Sequence, residues 1–343
     1  MHSRKIPTNK SNCPICSQLS DQTTAYNDIG WSDFGIFNKL KIKYCIHCGF
    51  GYSSPEIDTK VINYFYEKQY RSKESTFHIN FSKLKDANVS GVADIRDIRS
   101  FGQLSLARAF CNFNSEDVLL DIGPGTGESF NVAKTLFNNP KLHAIELSQG
   151  AKEHYKKNYG ALSHDSLNDF ISMNLKAQII LMSHSLEHYR LSDLSELFST
   201  LSIALAKNGV AVIEVPSVDF RLHLKNRGAD TPHFLFFSRE SLMLLFEKYS
   251  FDVLFIDTCG NYYISDEEYL KSNPDSSKLK TNLKQNFNKL PKSLKIILRT
   301  LFRAFTKTKN FRLINKVRVL NFLPQLSYGG NRDCIRMVIR NKI

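Results

Sequence analysis

The sequence predicts an α/β fold whose mostly parallel sheet is covered on both faces, and three observations carry that expectation. From Val118 onward, short apolar runs alternate with amphipathic stretches, the pattern of strands and covering helices. The first run ends in an acid and a glycine-rich turn, VLLDIGPGTG, directly before a helical pattern. The chain is 42% hydrophobic and 23% charged, with 25 Phe and 14 Tyr, which is ample for a core and the wrong balance for disorder. At 343 residues it exceeds one ordinary domain, so a core with attachments is expected.

Residues 1–55 hold two CxxC pairs, Cys13/Cys16 and Cys45/Cys48, each followed by small or turn-forming residues. Such knuckles aim backbone amides at thiolates. Together they suit a tetrahedral structural Zn2+, which stands in for the core that about 50 residues could hardly build. The 28-residue spacer leaves room for extra strand or loop. Free thiols are the alternative; a redox pair fits less well, because no helix of a βαβ unit follows. His47 could replace one thiolate, although four already fill a site. Seven cysteines, an odd number, fit a reducing compartment better than a disulfide framework.

Residues 56–113 read as a helical connector or cap. Val61, Ile62, Phe65, Tyr66 and Gln69 have helical spacing, and Phe101 to Phe113 forms a second helix with Leu104, Leu106, Ala107 and Phe110 apolar. The core spans 114–258. Strands are expected at Val118–Ile122, Leu142–Glu146, Ala177–Met182, Val210–Val215 and Val253–Asp257, with a weak one near Leu162. Helices are expected at Glu128–Phe137, Gln149–Asn158, Leu191–Ala206 and Arg239–Tyr249.

After Gly260 the rhythm breaks, and residues 259–330 read as a basic helical insertion. The formal charge is +13, from 46 Lys and Arg against 33 Asp and Glu. Fourteen of those bases and one acid, Asp275, lie between Lys271 and Leu320, so the rest of the chain is neutral. Leu294, Ile297, Leu298, Leu301, Phe302 and Phe305 form one apolar stripe, with Lys292, Lys295, Arg299 and Arg303 on another face. This helix could lie on an anionic membrane, bind RNA or cap the site with its charges solvated. Nucleic acid is the weakest of these, since no RNA-binding module or Asn-Pro-Pro-Tyr element is present. In 331–343, Cys334 to Arg340 alternates as a last strand of the core. No apolar run reaches the roughly 18 to 20 residues that span a bilayer, and Met1 to Cys13 is polar and basic with no apolar h-region. The expected location is cytoplasmic, peripheral at the inner membrane face if the basic helix binds lipid.

The chemistry is concentrated at Asp121, Gly123, Gly125 and Gly127. A dinucleotide fingerprint is GxGxxG; here the third Gly comes too soon and an acid precedes the first, which suits a cofactor with an ammonium group rather than a pyrophosphate. A plain strand-to-helix turn is the bland alternative. Glu146 closes the second strand 25 residues after Asp121, where a carboxylate can accept from two adjacent hydroxyls.

These residues resemble the class I S-adenosylmethionine-dependent methyltransferases, whose first strand ends in an acid followed by GxGxG. The resemblance implies a Rossmann-like seven-stranded methyltransferase sheet. It also implies that Asp121 meets the methionine ammonium directly or through water, that the three glycines let the backbone approach the cofactor, that Glu146 takes the ribose hydroxyls and that Asp165 lies at the adenine amino group. SHSLEHY, 183–189, resembles the family's Leu-Glu-His element. His184, Glu187 and His188 also spell HxxEH, but a metalloprotease needs that pattern within a helix, and here it leaves a strand. TPHFLFFSRESL, 231–242, resembles the family's His before an aromatic-Phe-Ser and a helix, with Ser238 as N-cap. The CxxC pairs, CGFGYSSP and NYFYEKQY resemble a branch that includes nucleotide-sugar C-methyltransferases, although only about 85 residues, basic overall and largely helical, stand where those carry a further α/β domain.

Methyl transfer is an in-line displacement that needs alignment and, for a hydroxyl or carbon acid, a base. His188 and His233 are the candidate catalytic residues; each could instead only order its loop. The expected acceptor is a small molecule, sugar or glycan. A non-catalytic adaptor that binds S-adenosylmethionine is the reading from another class.

Overall fold

The computed structural model describes residues 11–20, 22–25, 40–70, 79, 95–219, 233–259 and 334–342. The basic stretch 271–320 and its amphipathic helix lie outside these residues.

Seven strands form the main sheet: β6 (Val118–Ile122), β7 (Lys141–Ile145), β8 (Leu162–His164), β9 (Ala177–Ser183), β10 (Leu205–Pro216), β12 (Phe251–Cys259) and β13 (Cys334–Asn341). Their spatial order is β12, β13, β10, β9, β6, β7, β8. The pairs from β10 to β8 are parallel, and β13 runs antiparallel between β10 and β12. The expected final strand is therefore present, inserted beside β10. Every residue of β6 is buried, as a central strand covered on both faces must be.

Two apolar layers cover the sheet. On one, α2 (Ile95–Phe110), α3 (Glu128–Phe137) and α4 (Gln149–Tyr159) bury Leu104, Phe130, Tyr155 and Tyr159 against Leu119 and Ile179. On the other, α5 (Leu167–Ser172), α6 (Leu194–Ala204) and α7 (Arg239–Lys248) bury Phe170, Phe198 and Phe246 against Leu120 and Ile213. Ser238 caps α7 in a reciprocal box with Ser241. α2 begins earlier than its apolar residues announce, and α6 is preceded by a 3-10 turn at Leu191–Asp193.

The amino-terminal segment is joined to this core. β3 (Gln22–Ala25), β4 (Lys41–Tyr44) and β5 (Gly51–Ser54) form an antiparallel sheet whose fourth strand, β11 (Leu235–Phe236), comes from the core. Phe50 packs on Phe237 at 5.6 Å between ring centroids, and Ser238 Oγ donates to Cys48 O at 2.5 Å. The connector continues as α1 (Thr59–Tyr64), capped by Asp58, and a wider turn through Phe65–Gln69. No helix among the described residues is long and apolar enough to cross a membrane.

β7 and β8 carry a buried imidazole pair. His143 Nδ1 lies 2.9 Å from His164 Nε2, the rings stack, and Phe170 meets both edge-on. Burial, aided by the neighbouring His164, lowers the His143 pKa to about 4. The unfolded imidazole therefore takes a proton first, so stability falls with pH between about 6.5 and about 4. Denaturant titrations over that window should show a loss on the order of 3 kcal/mol from this group, reduced in His143→Gln. An unchanged pH slope in the variant would contradict the assignment.

Candidate functional site

The strand order reverses at β6: the chain runs from β6 outward to β7 and β8, then returns to pair β9 on the other side. Such a switch opens a crevice beyond the carboxyl ends of the strands. A cavity of about 660 Å³ lies there, within the usual size of small-molecule sites. Ile122, Gly123, Gly125, Glu146, Asp165 and His188 line it, and Asn63, Tyr66 and Tyr70 reach it from the connector.

The glycines of the turn serve different needs. Gly125 has φ +65° and nothing within 4 Å of where a Cβ would stand, so its backbone faces open cavity. At Gly127 (φ +85°) a Cβ would come within 2.6 Å of the Tyr159 ring, which makes this glycine a requirement of helix packing. Gly123 and Gly125 line the cavity, whereas a side chain at Gly127 would meet Tyr159.

Glu146 follows β7 and faces the cavity beside Gly125. Its Oε1 accepts from Ser148 N at 2.9 Å, and its Oε2 lies 3.2 Å from Tyr155 OH, which donates to Gly125 O at 2.6 Å. Tyr155 thereby ties the acid to the glycine turn. Asp165 follows β8 at the rim, exposed and paired with Lys152. Asp121 is more deeply placed than its motif suggests: it is 3% exposed and is not among the lining residues. It accepts from Ser129 Oγ, and its Oδ1 has no hydrogen-bond partner. Burial, opposed by the Ser129 bond, raises its pKa to about 7.

At the other end of the cavity, β9 gives way to His184, in left-handed backbone (φ +54°), and to a 3-10 turn at Leu186–His188. HxxEH is therefore a strand exit and not a helix. His184 lies between two carboxylates, 3.3 Å from Glu187 Oε1 and 3.5 Å from Glu214 Oε1. Burial alone would lower its pKa; the two acids raise it to about 9. Glu214 is held far below the usual carboxylate range despite burial by Arg336 and His184, with Arg99 contributing, and Gln103 donates to it at 3.0 Å.

The two candidate catalytic histidines are brought together, with ring centroids 4.9 Å apart. His188 lines the cavity, and its Nδ1 is 2.9 Å from Tyr66 OH. His233 stands beside it, its Nε2 3.9 Å from Glu187 Oε1. Its loop is held through Phe234, whose N–H donates to Glu187 O and whose carbonyl accepts from Ser53 N, both at 2.8 Å. Burial and the neighbouring His188 lower the His233 pKa to about 3, which keeps the ring neutral at pH 7. Tyr66 and Glu187 figured in the sequence only as part of a helical spacing and of HxxEH, not as candidate site residues. The i, i+4 pair Tyr66 and Tyr70 was the available signal for the first; nothing in SLEH marks the acid as buried.

In the amino-terminal segment, the sulfurs of Cys13, Cys16, Cys45 and Cys48 cluster within 4.8 Å of one another. Cys13 to Cys48 is 3.7 Å and Cys16 to Cys45 is 3.6 Å, close to the roughly 3.8 Å edge of a tetrahedron with Zn–S bonds of about 2.3 Å. The amides of Ile15 and His47 point at Cys13 and Cys45 sulfurs at 3.4 Å, as knuckles require. The hydrogen bond from Cys48 pulls the Cys13 thiol down to about 5, and the same contact pushes Cys48 up. Four sulfurs this close can all ionise only around a cation.

Residues 96–255, just under half of the chain, match the family described as Methyltransferase domain, and the seven-stranded sheet is built around that segment. None of the curated proteins compared matches the sequence. Solved structures similar to it include a SAM-dependent methyltransferase from Archaeoglobus fulgidus, 15% identical over 71% of this chain and 93% of the other, with TM-score 0.41. Another is a cyclopropane synthase from Mycobacterium tuberculosis, 15% identical over 69% of this chain and 82% of the other, also at 0.41.

The open Gly125 and the packed Gly127 give a direct check. Gly125→Ala should cost about 1 kcal/mol, the penalty of a left-handed alanine. Gly127→Ala adds the Tyr159 clash and should cost at least about 2 kcal/mol more. Equal denaturation midpoints for the two variants would refute this division.

Proposed function

We propose that the protein transfers the methyl group of S-adenosylmethionine to a small-molecule, sugar or glycan acceptor by in-line displacement. The observation that carries the reading is the pairing of Gly125, open to the cavity, with Glu146 beside it, while His188 lines the same cavity from the β9 side. Glu146 would accept the ribose hydroxyls and Asp165 would meet the adenine amino group. Asp121, with a buried oxygen that lacks a partner, would receive the methionine ammonium directly or through water.

In the reaction the carbon–sulfur bond breaks as the bond from carbon to the acceptor atom forms, and the acceptor loses one proton. His188 and His233 would promote that loss. The cysteine cluster would hold one structural Zn2+, supporting the small sheet from which the His233 loop is anchored. The segment 271–320, with its net positive charge, would engage an anionic surface such as a membrane carrying the glycan acceptor.

Calorimetry with S-adenosylhomocysteine should detect binding to the intact protein, weakened about tenfold to hundredfold by Glu146→Ala through loss of two charged hydrogen bonds. Undiminished affinity in that variant would remove the assignment. Labelled S-adenosylmethionine with cell extract should yield a product gaining one methyl group, whereas an adaptor would bind label without transferring it. Elemental analysis should return one zinc at the cysteine cluster that disappears in Cys45→Ser, together with a lower melting temperature; zinc retained there would exclude four-thiolate coordination.

A further inference from the structure

The search for groups that methyl transfer leaves unexplained leads to Glu187. Its side chain is 1% exposed, yet among the described residues neither carboxylate oxygen has a hydrogen-bond partner in good geometry. An ionised carboxylate in that position needs a partner, because burying it bare is costly. His184 supplies part of the compensation at 3.3 Å from Oε1, and Oε2 is left over. On the other side stand two imidazoles. His233 Nε2 is 3.9 Å from Oε1, too far for a hydrogen bond but suited to two ligands of one ion, and His188 offers a nitrogen within 4.8 Å of both. Tyr66 OH lies 2.9 Å from His188 Nδ1 and fixes the ring, as a neighbouring hydrogen bond does for metal-bound histidines.

We propose that Glu187, His188 and His233 form a binding site for a divalent first-row transition cation in the wall of the methyl-transfer cavity. Two imidazoles and one carboxylate suit Mn2+, Fe2+, Co2+ or Zn2+ and leave positions for an oxygen of the acceptor. A hydroxyl held by such an ion releases its proton to water more readily, and the resulting oxygen displaces the sulfur from the methyl carbon. This rests on the proposed methyl transfer and specifies how the histidine pair promotes loss of the acceptor proton: as ligands, not as free bases. It also narrows the acceptor to one bearing a metal-binding oxygen.

The test uses the full chain with zinc retained at the cysteine cluster and S-adenosylhomocysteine bound. Mn2+ is titrated by the loss of its free-ion paramagnetic resonance signal, and Co2+ by visible bands lacking the intense thiolate charge transfer. One ion should bind per chain, with affinity reduced at least about tenfold in Glu187→Gln and in His233→Asn. Tyr66→Phe should weaken binding less and shift the Co2+ bands. Failure of both ions to bind at millimolar concentration, or binding indifferent to Glu187→Gln and His233→Asn, would overturn the proposal while intact S-adenosylhomocysteine binding left the methyl-transfer reading standing. Loss of S-adenosylhomocysteine binding in the unmodified protein would instead count against that reading.

Discussion

The reversal of strand order at β6 is the constraint on which the rest depends. Because β6 pairs in parallel with both β7 and β9, the carboxyl ends of all three strands reach the same edge, with Asp121 in register between Ala144 and Leu181. Helices α3 and α4 then leave on one face, and a gap opens where the connections diverge. Gly125, Glu146 and the 183–189 turn enter that gap from three different strands. No one of these segments makes a cavity alone.

Around the gap the structure buries several charges and treats each differently. Glu214 and Arg336 face each other across β10 and β13, both about 1% exposed, with the guanidinium 2.6 Å from the carboxylate. Removing two ions from water costs several kcal/mol each, so such a pair persists only with further support, which Gln103 gives as a hydrogen bond and His184 as a second cation 3.5 Å from Oε1. Asp121 avoids the problem by its raised pKa. Glu187 takes a third course, facing His184 and His233 without a hydrogen bond to either oxygen. Buried oxygens without a hydrogen-bond partner among the described residues thus stand both at the glycine turn, on Asp121, and at the β9 end, on Glu187.

The amino-terminal sheet is part of the same machinery. β11 leaves the core to complete it, and the residue just before that strand, Phe234, is hydrogen-bonded to both Ser53 and Glu187. His233 lies two residues before β11, and the connector that follows β5 brings Tyr66 to the neighbouring His188.

The alternation of apolar runs from Val118 onward determined the parallel sheet, because strands buried on both faces can be little else. DIGPGTG with Glu146 likewise determined where a cofactor site would be looked for, and CxxC twice determined a four-thiolate cluster, since these are local relations of a few residues or of one recurring spacing. Tertiary structure alone decided what those residues face. It sank Asp121 below the cavity and turned Gly127 toward Tyr159. It also set His233 against His188 across 45 residues and placed Arg336 on Glu214 across 122. Such contacts depend on strand order and on which strand a returning segment joins. Periodicity reports the face a residue turns toward the core, not the partner waiting there.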